Sequence, residues 1–387
     1  MKLSRALVLV VVALMGSALL MAPSGAAAPA RKATTKPPAI KHVFVINLEN
    51  KNYDETFGPD SPAPYLSEDL VAKGALLEQY FAIGHVSLDN YIAEISGQGP
   101  SKQTQVDCFT YTDFVSTGTG DLGQALGDGC VYPKSVKTIA DQLAAKKLTW
   151  KGYMEDMSSP CLHPAIGEKD PYVVAGASNP STAYATRHNP FVYFHSIVDS
   201  PSCQKNVVPL TGFEDDLASV KTTPNYSMIT PNVCNDGHDN TCPDGSPGGL
   251  TAANAWLQTW VPKILASPAF KKDGLLVVTF DEAEGTGDTA DATTCCNTPT
   301  YPNVESASAF VPGPGGGRIG AVLISRFVKP GTSSTTPYNH FALLCSLEDL
   351  FGLKHLGYAA QPGLQCFGKD VYTNASGKAS SRKAASG

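Results

Sequence analysis

Five short runs of apolar and β-branched residues set the architecture of this 387-residue chain: His42 to Leu48, Leu148 to Tyr153, Tyr226 to Thr230, Leu275 to Phe280 and Ile319 to Ile324. Each is bounded by turn-forming or charged residues, the pattern of buried strands. Four segments with helical spacing lie among them: Leu88 to Ile95, Val136 to Ala145, Ala252 to Leu265 and Phe341 to Phe351. In the third, Trp256, Trp260, Val261, Ile264 and Leu265 recur on one helical stripe, which is core packing. Strands alternating with helices predict an α/β fold whose sheet is covered on both faces.

In such sheets ligands collect just past the carboxyl ends of the strands, and the polar clusters of this sequence fall there. Glu49-Asn50 follow the first run, Pro231-Asn232 and Asn235-Asp236-Gly237-His238 the third, and Asp281-Glu282 the fourth. Successive side chains at a strand end point to opposite sides, so a turn must bring Asp281 and Glu282 together. Adjacent carboxylates repel unless a cation or a basic group lies between them. Taken alone, DEAEGTGD also reads as a solvated acidic loop. With Glu49 and Asn50 in the equivalent place, three carboxylates and an amide oxygen form a hard-oxygen set. It suits magnesium, manganese or calcium, or zinc once imidazole is added.

The segment Gly84-His85-Val86-Ser87-Leu88-Asp89-Asn90-Tyr91 opens a helix that runs on to Gly97. Ser87 therefore sits at or just before a helix N-terminus, where free N–H groups and the dipole favour an anion. Two readings stand side by side. Ser87 is an ordinary N-cap with Asn90 near the third turn position, or it is a nucleophile acidified by a metal and backed by the helix end. Of the eight histidines, His85, His188, His195, His238 and His340 lie in polar motifs. Each reads either as a hydrogen-bonded structural residue or as a proton-transfer group.

Lys2 and Arg5, the apolar run Ala6 to Met21 and the stretch Gly25-Ala26-Ala27-Ala28 predict a signal peptide over residues 1–28 and hence a secreted protein. An uncleaved anchor is the alternative. Residues 29–39 are expected to be an exposed leader, 40–372 the folded catalytic domain and 373–387 a disordered tail. No later stretch has membrane-spanning length, so no integral span is expected after cleavage. Removing Lys2 and Arg5 leaves 27 basic residues against 35 acidic, a formal charge of −8, which argues against a nucleic-acid partner. All ten cysteines lie beyond the leader, and an even number in an exported chain reads as up to five disulfides of open pairing. The rival zinc–thiolate reading finds no Cys-x-x-Cys.

Taken in order, LENKNYDETFG, FAIGHVSLDNYIAEISGQGP, TWKGYMEDM, RHNPFVYF, TPNVCNDGHD, LLVVTFDEAEG and NHFALLCSLEDLFGL resemble the bacterial and fungal phosphoesterase family, over roughly residues 40–360. That family holds acid phosphatases and phosphatidylcholine-preferring phospholipases C, within the alkaline-phosphatase-like superfamily. The resemblance implies a three-layer α/β/α sandwich around a largely parallel sheet, a divalent metal cation, and hydrolysis of phosphate esters through a phosphoserine. It implies Glu49, Asn50, Ser87, Asp281 and Glu282 as metal ligands, with Ser87 also the nucleophile. His188 and His238, with His340, are implied as phosphate-binding or leaving-group-protonating residues, and His85 and Asn90 join His188 and His238 as substrate-binding candidates. The implied substrate is a small phosphate monoester or, for a phospholipase C-like diesterase, a phospholipid head group. Sequences of the resembled family usually carry Pro at the places of Val86 and Asp89, so the chain departs from that pattern at the nucleophile turn. A non-catalytic secreted metal-binding protein is the alternative outside enzymes. A sulfatase would need a Cys/Ser-x-Pro-x-Arg context, which is not found.

Overall fold

The computed structural model describes residues 37–171, 183–242, 244–307, 313–374 and 376–377. The expected signal peptide and leader residues 29–36 lie outside the described residues. Eight strands form one sheet: β1 (His42–Leu48), β2 (Ala75–Leu77), β3 (Trp150–Met154), β4 (Val207–Pro209), β5 (Tyr226–Thr230), β6 (Gly274–Phe280), β7 (Ala321–Ser325) and β8 (Thr332–Ser334). Their order is β8-β2-β7-β6-β1-β5-β3-β4. The stretch β6-β1-β5-β3-β4 is parallel throughout. β7 runs antiparallel to β6 and β2, and β8 pairs parallel with β2. All five predicted runs are strands, with limits displaced by at most two residues. The unpredicted strands β2, β4 and β8 have three residues each, too few to display a period.

Four helices matter for the site: α1 (Ser87–Ser96), α2 (Ile139–Ala145), α3 (Gly249–Ala266) and α4 (His340–Phe351). β1 shows why the structure has three layers. Asn47 and Glu49, two residues apart and so on one side of the chain, bond to side chains of α1. Phe44 points the other way, its ring centroid 6.4 Å from those of Phe213 and Phe270. Phe213 in turn meets Trp260 of α3 at 5.8 Å. Both faces of the central strand are thus covered by helix. α1 is buried along its whole length, packs on α4 and α2, and ends at Gly97 in the left-handed conformation (φ 69°) that favours glycine.

The ten cysteines form five disulfides, Cys108–Cys130, Cys161–Cys203, Cys234–Cys242, Cys295–Cys296 and Cys345–Cys366. The Asn374 N–H donates to Phe327 O, and Arg326 Nε donates to Gly377 O (2.7 Å), which ties the chain to the fold as far as Gly377. Among the described residues, no helix is long and apolar enough to cross a membrane.

Candidate active site

Parallel pairing delivers the acids to one place. Leu48 at the end of β1 is in register with Phe280 at the end of β6, which sets Glu49 and Asp281 side by side. The Asp281 N–H donates to Leu48 O (2.9 Å), and the Glu49 N–H donates to Asp236 O (2.8 Å), drawing the loop after β5 onto the same end. Glu49, Asp236 and Asp281 are each 0% exposed. Burial above all, and the neighbouring acids after it, push all three carboxyls well above the ordinary carboxylate range.

Two contacts in this cluster are met either by a donated hydrogen or by a positive charge. The terminal amide of Asn50 lies 3.2 Å from Glu282 Oε1 and 3.3 Å from Asp281 Oδ1. With its nitrogen there, the amide donates to both carboxylates; with its oxygen there, three oxygens converge as around a cation. His188 is 1% exposed, its Nε2 3.4 Å from Glu49 Oε1 and its Nδ1 3.3 Å from Asp236 Oδ2. Burial first, then Arg187 and His238, hold its pKa well below the usual histidine value, so the ring is neutral. A neutral imidazole has one N–H, and its other nitrogen faces a carboxylate oxygen repulsively until a cation or a proton lies between them. Ligating atoms of Glu49, His188 and Asp236 all fall within 4.8 Å of one another. Asp281 Oδ2 and Asp236 Oδ2 are enclosed without a hydrogen-bond partner. The donor set therefore fits a divalent cation.

Ser87 is the first residue of α1 and not its cap: the cap position is Val86, without a side-chain cap bond. The Ser87 hydroxyl donates to Glu49 Oε2 (3.0 Å), and Tyr91, one turn on, donates its hydroxyl to Glu49 Oε1 (2.5 Å). The Leu88 N–H, expected to face an anion, donates to Asp107 Oδ1 (3.0 Å), whose other oxygen lies 3.4 Å from Arg187 Nε. Burial pushes the Asp107 carboxyl up to about 6 against the pull of Arg187. Val86 holds φ at 84°, an outlier for a β-branched residue and out of reach of a proline ring. The turn is over-determined: the Val86 N–H donates to Glu282 Oε2 (2.8 Å), and Asn90 accepts from the Ile83 and Gly84 N–H groups while donating to Gly84 O.

The structure gathers Glu49, Asn50, Ser87, His188, Asp281 and Glu282 around one strand end. It adds Asp236, Tyr91, Asp107 and Arg187, which the motifs did not single out. The remaining candidates occupy supporting places. His85 donates from Nε2 to Asp291 O (2.9 Å) and meets Glu282 Oε2 through Nδ1 (2.6 Å). Burial is the largest single influence and lowers its pKa, but the bond and charge of Glu282, the bond with Asp291 O and the charge of Asp281 together outweigh it, and the net shift is upward. Asn90 spends its amide on the turn. His238 stands beside the His188 ring at 6.3 Å, with Nδ1 2.8 Å from Asp239 Oδ1 and part of its side chain exposed. His340 is wholly buried, and its Nε2 donates to Asp281 O (2.6 Å). His195 is held by Asp113 and Asp199.

The phosphoesterase family profile matches residues 60–354. The chain is 31% identical over 316 residues to a phosphate-repressible acid phosphatase of Penicillium chrysogenum, covering 81% of this chain and 60% of that protein. It is 26% identical over 354 residues to a phosphatidylinositol-3-phosphatase of Mycobacterium tuberculosis, covering 91% and 90%. The chain thus spans less than two thirds of the fungal relative and nearly all of the mycobacterial one. Among solved structures it is similar to an alkaline phosphatase superfamily protein of Vibrio parahaemolyticus, with a TM-score of 0.48 and 14% identity over 87% of this chain and 74% of that one. With the profile spanning most of the fold, the chain belongs to the phosphoesterase family.

Proposed function

We propose that this chain is an exported, divalent-cation-dependent phosphomonoesterase of acid-phosphatase type with Ser87 as its nucleophile. The observation that carries the reading is the Ser87 hydroxyl bonded to Glu49 inside a buried cluster of acids. Glu49, Asn50, Ser87, Asp281 and Glu282 would hold the cation, and His188 and Asp236 offer further ligands beside Glu49. Bound there, a divalent cation offsets the acids and draws charge from the phosphoryl oxygens. Glu49 fixes the rotamer of the Ser87 hydroxyl. As the Oγ–P bond forms, the Ser87 hydroxyl proton passes to Glu49 Oε2, to which it already donates, the bond from phosphorus to the leaving oxygen breaks, and that oxygen needs a proton. His238 is the donor best placed to be reloaded, being part exposed and steered by Asp239. Water then attacks the phosphoserine and passes a proton to His238, and the P–Oγ bond breaks as Glu49 returns its proton to Oγ, freeing phosphate and the Ser87 hydroxyl. The five disulfides support export.

Names of the relatives favour a monoester, and the mycobacterial relative, matched at 90% of its length, favours a second reading in which that monoester sits on a lipid head group. The test is turnover of p-nitrophenyl phosphate, bis(p-nitrophenyl) phosphate and phosphatidylinositol 3-phosphate vesicles by purified chain, chelated and then reloaded. Monoester turnover that is lost on chelation and regained with cation is expected. Full activity of verified metal-free protein would end the cation-dependent reading, a diester preference would turn it to a phosphodiesterase, and no turnover of any substrate would leave a non-catalytic metal-binding protein.

A further inference from the structure

Glu94 is a carboxylate inside the core with no place in the chemistry above. It lies on α1 at the spacing that puts Ser87, Tyr91 and Glu94 on one helical face, and that face meets Asn47 and Glu49 of the β1 end. Glu94 is 2% exposed. Asn47 Nδ2 donates to its Oε2 (2.5 Å), and its Oε1 lies 3.0 Å from His340 Nδ1. His340 Nε2 must carry a hydrogen, because its partner, Asp281 O at 2.6 Å, is a carbonyl that can only accept. The ring is thus pinned between Glu94 on one side and the peptide of Asp281 on the other, with the Tyr80 hydroxyl 3.2 Å from Nδ1. Beyond that peptide, Asp281 Oδ1 accepts the N–H groups of Asn50 (3.2 Å) and Glu282 (2.6 Å), and Oδ2 alone is left without a partner.

A buried polar pair such as Glu94 and His340 is weak evidence for stability, since apolar residues of like volume commonly do as well or better. Direction is what this one supplies. We propose that Glu94 is a positioning residue for the cation site, acting through His340 to fix the Asp281 peptide so that Asp281 Oδ2 faces the cation. The inference rests on the cation-dependent reading of the site. Supporting groups behind ligands typically contribute about 10- to 100-fold in metal affinity or activity.

The test is calorimetric Mn2+ binding to the chelated full chain, with kcat and KM for p-nitrophenyl phosphate measured alongside. Glu94→Ala is expected to bind Mn2+ about tenfold or more weakly, with KM unchanged and kcat largely regained at saturating Mn2+. Glu94→Gln, whose amide can donate to His340 Nδ1 and accept from Asn47, is expected to keep the native affinity. Combining Glu94→Ala with His340→Ala should cost no more than the worse single change, because the two act as one unit. Native Mn2+ affinity in Glu94→Ala, or losses that multiply in the double variant, would overturn the proposal. If Glu94→Ala does not fold, Asn47→Ala decides: it unties Glu94 from β1 and is expected to weaken Mn2+ binding, and unaltered binding would overturn the proposal. A native chain that binds no Mn2+ defeats the cation-dependent reading itself, a different failure from a native chain that binds and a Glu94→Ala chain that binds equally well.

Discussion

Ser87 directs its hydroxyl to a carboxylate of the neighbouring strand, and this separates it from the helix cap that its position would otherwise suggest. A cap bonds to N–H groups of its own first turn; here Asp107 takes the Leu88 N–H. Ser87→Ala is therefore expected to leave folding nearly intact, at a cost of about 1 kcal/mol or less for one hydrogen bond. It should lower kcat by on the order of a thousandfold or more if the oxygen is the nucleophile. Steady-state rates with thermal unfolding measure the two, and acid-quenched turnover should place phosphate on the peptide containing Ser87. A variant retaining more than about a tenth of the rate, under 1.4 kcal/mol of barrier, would point to another nucleophile. Glu49, Asn50, Asp281 and Glu282 were legible because they directly follow strand runs. Asp236 was visible in a strand-end loop but unassigned, since its approach to Glu49 depends on the fold of that loop. Tyr91 was hidden as one more apolar-looking helix residue, although its spacing of four from Ser87 was there to read.

At the scale of elements, the turn from Ile83 to Asn90 and the helix α4 carry the instructive departures. Val86 at φ 84° is strained, a cost of about 1–3 kcal/mol for such a residue, and it persists because Glu282 and Asn90 hold the backbone around it. Val86→Pro forces a negative φ and removes the N–H bonded to Glu282. It should destabilise by about 3 kcal/mol or more and abolish activity; a variant with native unfolding temperature and rate would show that the turn is not fixed by these bonds. On α4, burial raises the Glu348 carboxyl to about 9, despite a bond from the Leu356 N–H (2.9 Å). Its folded pKa lies above its unfolded value, so its contribution is fully present below about 4.5 and is lost as pH rises toward 9. Glu348→Gln keeps the acceptor for Leu356 and cannot ionise. It should unfold several degrees above the native chain at pH 8 and at nearly the same temperature at pH 4.5; equal unfolding temperatures at both would place the ionisation elsewhere. The helices α1 to α4 were legible from their spacing. The conformation of Val86 was not, because its residue type disfavours it and it depends on the distant contact from Glu282 together with the bonds of Asn90 within the turn.

For the whole molecule, the sequence revealed alternating strands and helices and which strand ends bear acids, but not the strand order or the disulfide pairing, which depend on how distant segments cross. That crossing puts Glu49, Asp236 and Asp281 from three separate stretches into one enclosed space, and the cluster should govern how stability responds to cation and pH together. In the cation-free chain, the carboxyls of all three stand well above their ordinary range. Each therefore stabilises the fold fully below its unfolded pKa of about 4, and that contribution falls away as pH rises toward the folded value. A divalent cation among them would favour the charged carboxylates and so offset the burial and repulsion behind the shift, and it would bind the folded chain in preference to the unfolded one. The unfolding temperature of the chelated chain should thus fall between pH 5 and pH 7.5 by more than that of the Mn2+-loaded chain, so the gap between the two forms widens with pH. Scanning calorimetry of both forms across that interval measures it. A gap that stays constant or narrows would mean that the acids keep no excess protons in the cation-free fold, and that cation and acids do not share a site.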